Sequence, residues 1–205
     1  MIEAVIFDIG NVLIEWNPER HYDRLMPEAE RKAMFAEVDL HGMNDAIDRG
    51  GPFKETIYEF ADRYPHWRDA IRRWHCDWIE MASPGIPHSI RLMAALQAKG
   101  VPVFALTNFG IGTFDYAKGF YPFLSHFDRA YVSGHMGVIK PEARIYEMVE
   151  EDCGLSGGQL LFTDDRADNI FAAHERGWKT HLFEGPEGWA ARLVGEGLLS
   201  KEEAA

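Results

Sequence analysis

The sequence has little of what would tie it to several functional classes. It holds 2 cysteines in 205 residues, Cys76 and Cys153, with no CxxC spacing. That excludes a disulfide framework and a thiolate zinc or redox site, and both thiols are expected buried in a reducing compartment. Long apolar runs are also missing. The most notable, residues 101–106, falls far short of a membrane span. The N-terminus shows no basic lead-in followed by a long apolar stretch, so no signal peptide is expected, and a cytoplasmic location follows as the expectation. Lys and Arg number 21 against 33 Asp and Glu, a formal charge of −12 with no basic cluster. A phosphate backbone or an anionic membrane would be repelled, so neither is an expected partner. The nine histidines show no HxH or HExxH spacing, and no transition-metal site is expected. Internal repeats and low-complexity tracts are absent.

What is there reads as a folded globular chain. Apolar residues make up 46% and charged residues 26%, and a chain of this length buries roughly 70% of its unfolded surface. Short apolar runs alternate with helical patterns. Residues 4–7, 101–106, 160–162 and 180–183 read as strands, with 130–132 a fifth. The first three stop at polar residues: Asp8, Thr107, and Thr163-Asp164-Asp165. Between them lie helical faces, at residues 90–99 before Gly100, from Pro141 to Gly154, and from Ala167 to Gly177. Such alternation predicts an α/β fold, a Rossmann-like parallel sheet with helices on both faces.

Residues 17–83 break the pattern. They contain no convincing strand, are punctuated by Pro18, Pro27, Gly50-Gly51-Pro52 and Pro65, and read as an all-helical insertion of four or so helices. The expected domains are therefore a core of 1–16 with 84–205 and a helical unit of 17–83. Trp67, Ile71, Trp74 and Trp78 fall on one helical face, which predicts packing rather than ligand contact.

Ligands of open parallel sheets bind at the carboxyl ends of the strands. Asp8, Thr107-Asn108, Lys140 and Asp164-Asp165, with Asp168 one helical turn on, would share that rim. Each has a plainer reading alone, as a cap, a strand end or a solvated lysine. Together, clustered carboxylates of this kind beside one lysine and one hydroxyl repel unless a cation sits among them, and oxygen-only ligands suit Mg²⁺.

In chain order, Asp8-Ile9-Gly10-Asn11-Val12-Leu13, Thr107-Asn108, Ile139-Lys140-Pro141-Glu142-Ala143-Arg144-Ile145-Tyr146 and Thr163-Asp164-Asp165-Arg166-Ala167-Asp168-Asn169 resemble the four motifs of the haloacid dehalogenase (HAD) superfamily. The insertion resembles that family's helical cap of the first type. The segments at Asp8-Ile9-Gly10-Asn11, Asp48-Arg49-Gly50 and Lys140-Pro141-Glu142 resemble a subgroup of glucose-1-phosphate phosphatase-like proteins. The resemblance implies that Asp8 attacks phosphorus and becomes an aspartyl-phosphate. It implies Mg²⁺ held by Asp8, the Gly10 carbonyl and Asp164, with Asp168 or Asp165 completing the shell. Catalytic roles would also fall to Thr107 and Lys140, the lysine neutralising the phosphoryl group. Expected substrate contacts are Asn108, Asn11, Arg20 and Asp45, and Trp16-Asn17 is the expected hinge. The partner would be a small phosphorylated metabolite, a sugar phosphate first, and the protein a monomer or homodimer.

One position departs from the resemblance. Most phosphatases of the family carry a second aspartate two residues after the nucleophile, to protonate the leaving oxygen; here that position is Gly10. Its loss predicts a slow enzyme, a good leaving group such as a glycosyl or acyl phosphate, or a substitute acid, with Asp45, His21 and Glu15 as candidates. Two rivals stay open. One is an L-2-haloacid dehalogenase using Asp8 on carbon without metal, against which the acid at Asp164 speaks. The other is a non-catalytic phosphate-binding module.

Overall fold

The expected strands pair into one sheet. In the computed structural model, which describes residues 1–205, β1 (Ala4–Phe7), β4 (Val103–Thr107), β5 (Arg129–Val132), β6 (Leu160–Asp164) and β7 (Lys179–Leu182) form a parallel sheet in the order β5-β4-β1-β6-β7. Alternation of side chains along β1 divides the core in two. Val5 and Phe7 enter a large cluster with Leu92, Leu96, Trp189 and Leu193. Ala4 and Ile6 enter a second with Ile145, Tyr146, Val149 and Trp178. A strand apolar on both faces needs helices on both, which is why these runs are continuous rather than alternating. The first face is covered by α7 (Pro87–Ala98) and α12 (Pro186–Gly195), the second by α10 (Ala143–Cys153) and α11 (Ala167–Glu175).

One helix boundary and the burial of the cysteines differ from expectation. Pro141 precedes α10 rather than opening it, since the helix begins at Ala143; Gly154, at φ +71°, ends it as its position suggested. The cysteines are not buried: Cys76 is exposed and Cys153 half-buried. Cys76 sits at the end of a surface helix, and Cys153, in the last turn of α10, packs on the edge of the second cluster without being fully covered.

The excursion leaves and returns through a two-stranded ribbon. β2 (Ile14–Trp16) pairs antiparallel with β3 (Ala82–Gly85), Trp16 opposite Ala82. The second strand therefore starts inside the stretch expected to be all-helical. Its sequence, Ala-Ser-Pro-Gly, has no β-branched or aromatic residue, so no strand signal is present. Between the two strands lie six helices, more than expected: α1 (Pro18–Tyr22), α2 (Glu28–Glu37), α3 (Leu40–Asp48), α4 (Phe53–Asp62), α5 (Arg68–Cys76) and α6 (Trp78–Met81). Across α5, Ile71 and Trp74 are fully buried, as a packing stripe should be. The helix stops before Trp78, however, because Asp77 leaves the helical region at φ −112°, ψ 17°.

The excursion is sewn to the core where α3 ends. The Ser133 hydroxyl, on α9 (Ser133–Met136), donates to the Asp48 carbonyl at 2.6 Å. Gly50 (φ +102°) and Gly134 meet backbone to backbone: a Cβ on Gly50 would lie 2.7 Å from the Gly134 carbonyl oxygen, and one on Gly134 would lie 2.8 Å from the Ile111 nitrogen. Arg49 reaches Glu142 at 2.5 Å. No helix is long and apolar enough to cross a membrane.

Candidate active site

The carboxyl ends of β1, β4 and β6 meet at the centre of the sheet, and Lys140 crosses beneath them. Lys140 is 2% exposed. Its Nζ donates to Asp8 Oδ1 at 2.9 Å, to Asp164 Oδ2 at 2.6 Å and to the Leu106 carbonyl at 2.8 Å, so all three ammonium hydrogens are placed. The Lys140 backbone is fixed by a reciprocal pair with Asn108, whose amide accepts from Lys140 N–H at 2.8 Å and donates to its carbonyl at 3.0 Å. The Asp8 Oδ1 also accepts the Ile9 N–H at 2.7 Å, while Oδ2 takes no hydrogen bond. Asp164 accepts the Arg166 N–H at 2.8 Å on Oδ1 and is clamped across both oxygens by the Asn169 amide at 3.0 Å.

Carboxylate oxygens of Asp8, Asp164 and Asp165 lie within 4.8 Å of one another. Three carboxylates face one ammonium, which leaves two negative charges in a buried space. Burial pushes the Asp8 carboxyl up, against the pull of Lys140 and with the push of Asp164 and Asp165. Asp165 is also raised, first by burial. For Lys140 burial acts downward, but Asp164 and Asp8 outweigh it and hold the ammonium above its ordinary value. Without a further cation, then, the site resists full ionisation of Asp8. An all-oxygen donor set short of two positive charges fits a hard divalent cation.

Above this cluster opens a cavity of about 270 Å³, small for a ligand site and matched to a metabolite rather than a large coenzyme. Of the expected residues, Asp8, Gly10, Asn11, Thr107, Asn108, Lys140, Asp165 and Asp45 line it. Asp164 lies behind the lining, fully buried. Two expected residues are elsewhere. Arg20 binds the Glu15 carboxylate and the Ser83 carbonyl, bracing the β2–β3 ribbon, and does not line the cavity. Asp168 turns outward to Arg166 at 2.7 Å, which holds its carboxyl below the usual range, and it does not join the acidic cluster. Helix geometry accounts for this: Asn169, one residue on, faces the strand ends and takes the inward position. Asn11 (φ +54°) and Asn108 line the cavity with amides already engaged, Asn11 donating to Asp165 at 2.9 Å and accepting from Trp16 N–H. Of the expected substitute acids, His21 pairs with Asp77 at 3.1 Å outside the lining, and Glu15 lines it beside Arg20.

The polar lining residues that carried no site assignment in the sequence are Asp48, Asn169, His41, Arg166 and Thr113. Asp48 stood in a segment that marked the resemblance but had no chemical role. Its burial, at 8% exposure, is a product of the close glycine contacts that dock α3. Trp78, expected to pack, does both: it is 4% exposed, stacks near Trp16 at 5.9 Å and forms part of the wall.

The haloacid dehalogenase-like hydrolase family model matches residues 2–177. The chain belongs to that family. Among relatives of HAD-like hydrolases, a sesquiterpene phosphatase of Aspergillus oryzae is 24% identical over 194 residues, covering 85% of this chain and 86% of its own. A D-ribitol-5-phosphate phosphatase of Bacteroides thetaiotaomicron is 20% identical over 207 residues, covering 95% and 98%. A HAD family enzyme of B. thetaiotaomicron, solved with magnesium and inorganic phosphate, superposes with TM-score 0.67 at 21% identity, covering 88% and 93%. An L-2-haloacid dehalogenase of Xanthobacter autotrophicus superposes with TM-score 0.62 at 18% identity, covering 97% and 85%. Phosphatase and dehalogenase thus share this HAD-like fold, and chemistry has to be argued from the site.

Proposed function

We propose that this HAD-like hydrolase is a Mg²⁺-dependent phosphatase of a small phosphorylated metabolite, working through an aspartyl-phosphate on Asp8, with residues 17–83 as its cap. The observation that carries the reading is the triad of Asp8, Asp164 and Asp165 around Lys140, two charges short of neutrality. Those carboxylates, with the Gly10 carbonyl, would hold the cation, which screens the phosphoryl oxygens from the attacking carboxylate. A dehalogenase acting on carbon without metal would bear the unpaired charges at a cost of several kcal/mol or more.

The remaining steps belong to the protein. Asp8 Oδ2, free of hydrogen bonds, attacks phosphorus. Lys140 holds Asp8 Oδ1 and keeps the carboxylate oriented and ionised. The Thr107 hydroxyl lies on the same wall to take a phosphoryl oxygen. Asn108 acts through Lys140, as a positioning residue.

The excursion contributes Glu15, Trp16, His41, Asp45, Asp48 and Trp78 to the wall, and no lysine or arginine. The half of the substrate distant from phosphorus is therefore not anionic. Carboxylates accept hydroxyl hydrogens and tryptophan faces cover apolar ring edges, which favours a sugar or polyol monophosphate over a bisphosphate or a nucleoside triphosphate. The D-ribitol-5-phosphate phosphatase among its relatives is, by its name, a phosphatase of a polyol monophosphate, in keeping with this class.

A phosphate-release screen over sugar, polyol and acyl phosphates, with Mg²⁺ or EDTA and with Asp8→Asn as control, tests the reading. Release that needs Mg²⁺ and disappears in Asp8→Asn is expected. Chloride release from L-2-chloropropionate in EDTA would replace it with the dehalogenase. Silence across the panel in both proteins would favour a binding module.

A further inference from the structure

Breaking a phosphate ester of an ordinary alcohol leaves an alkoxide that needs a proton, and the strand-end cluster has none to give. Asp8 is the nucleophile, Asp164 is held by Lys140 and Asn169, and Lys140 has all three hydrogens committed. Gly10 offers no side chain, and a Cβ built there would meet nothing within 4 Å. The space beside the nucleophile is therefore open to a group from another element. Four further acids line the cavity. Asp165 accepts from Asn11, Glu15 faces Arg20, and Asp45 is solvent-exposed. His41 is exposed, 3.6 Å from Glu19. Asp48 differs from all of these. It is buried, lines the cavity, has no lysine or arginine paired with it, and meets only neutral donors, the Asn44 amide at 2.9 Å and the Gly110 backbone N–H.

From this we infer that Asp48, carried in from the end of α3, is the acid that protonates the leaving oxygen and the base that then activates water, in place of a side chain at position 10. The inference rests on the phosphatase reading. In the first half-reaction the Asp8 Oδ2–P bond forms, the P–O bond to the alcohol breaks, and the Asp48 proton goes to the departing oxygen. In the second, the Asp48 carboxylate takes a proton from water as its oxygen attacks phosphorus. Inorganic phosphate leaves, and Asp8 and protonated Asp48 are restored. The environment suits an acid that cycles: burial first, then Asp45, with Asp8 beyond, push its carboxyl up to about 7, while the Gly110 amide and Lys140 pull down. An acid or base works best when its pKa lies near the working pH. The docking at Ser133, Gly50 and Gly134 gives it a fixed position over the core.

The experiment compares wild type, Asp48→Asn and Asp48→Glu on two substrates in Mg²⁺, following single turnovers and phosphate release. One substrate is p-nitrophenyl phosphate, whose leaving group needs no proton; the other is an alkyl or sugar phosphate hydrolysed by the wild type. In Asp48→Asn the first step on the alkyl ester should fall by about 10²–10⁴-fold. With p-nitrophenyl phosphate the same variant should give a burst of one p-nitrophenol per enzyme and then stall, with phosphate held on Asp8. Asp48→Glu should restore part of both steps. The alkaline limb of the wild-type kcat profile on the alkyl ester should be missing in Asp48→Asn. Equal losses on the two substrates in the first step, or turnover of the alkyl ester within about threefold of wild type, would overturn the assignment while leaving the phosphatase intact. A wild type that neither releases phosphate nor becomes labelled on Asp8 would overturn both. Retained binding of inorganic phosphate with Mg²⁺ by Asp48→Asn shows that the variant is folded.

Discussion

The Ser133 hydroxyl, at the start of α9, donates to the main-chain carbonyl of Asp48 at the end of α3, 2.6 Å away and fully buried. The same oxygen accepts the Phe109 N–H at 2.9 Å, so it ties the β4 loop and the helical excursion to one point. Ser133→Ala leaves a buried carbonyl and a buried amide short of a partner. The cost expected is about 1–3 kcal/mol of stability, read as a lower urea midpoint at unchanged m-value. Because the bond fixes where Asp48 sits, kcat should fall more than KM rises. A fall in stability with kinetics unchanged would make the contact structural alone.

Lys140 answers two carboxylates at once, and its removal tests how the centre is neutralised. Lys140→Met would leave Asp8 and Asp164 buried without their ammonium. Breaking such a pair costs about 3–5 kcal/mol, so the variant should melt well below wild type in EDTA. Added Mg²⁺ should return more stability to it than to wild type, since the cation then answers one more unpaired charge. Equal Mg²⁺ effects on the two proteins would place the cation away from these carboxylates.

The cation itself leaves a thermodynamic trace independent of turnover. A ligand that binds only the folded state stabilises it by about 2.7 kcal/mol at a hundred times its Kd. Thermal melts of the wild type should rise with Mg²⁺ and fall back with EDTA. Asp165→Asn should weaken that response. Asp168→Asn should not, because Asp168 faces Arg166 on the outside. A response lost in Asp168→Asn but kept in Asp165→Asn would reverse the arrangement drawn from the cluster.

How far the sequence reveals this protein depends on which force sets each feature. The three central strands, β1, β4 and β6, were legible because burial on both faces requires continuous apolar runs, and Asp8, Thr107 and Asp164 were legible because those runs stop at polar residues. The ribbon at β3 was not, since its Ala-Ser-Pro-Gly strand is held by partner and context rather than propensity. Helical spacing could not say whether Asp168 or Asn169 turns inward, because a helix start fixes only its own phase. Asp48 was invisible as chemistry for another reason. Its burial comes from backbone contact between Gly50 and Gly134, residues 84 positions apart, which no local pattern announces. Arg20 was placed at the site by its nearness to Trp16 in sequence, and its partners in the structure, Glu15 and Ser83, lie along the ribbon.

Asp48 also makes a prediction about stability with a sign opposite to most core substitutions. Its carboxyl stands near 7 in the folded protein, against about 4 in an unfolded chain. Below about pH 4 both states hold the proton and Asp48 costs nothing. As pH rises towards about 7 the unfolded chain ionises first, and stability is lost; above that the loss is complete. Asp48→Asn cannot ionise, so in EDTA it should match wild type near pH 4 and exceed it near pH 8, by up to about 4 kcal/mol at about 1.4 kcal/mol per pK unit. Denaturant titrations of both proteins across that range measure the difference directly. A buried carboxyl kept for packing would show either no gain or a loss on substitution. A gain in stability that appears only with rising pH, in a protein that has lost alkyl phosphate turnover, is what a site that sacrifices stability for proton transfer should show.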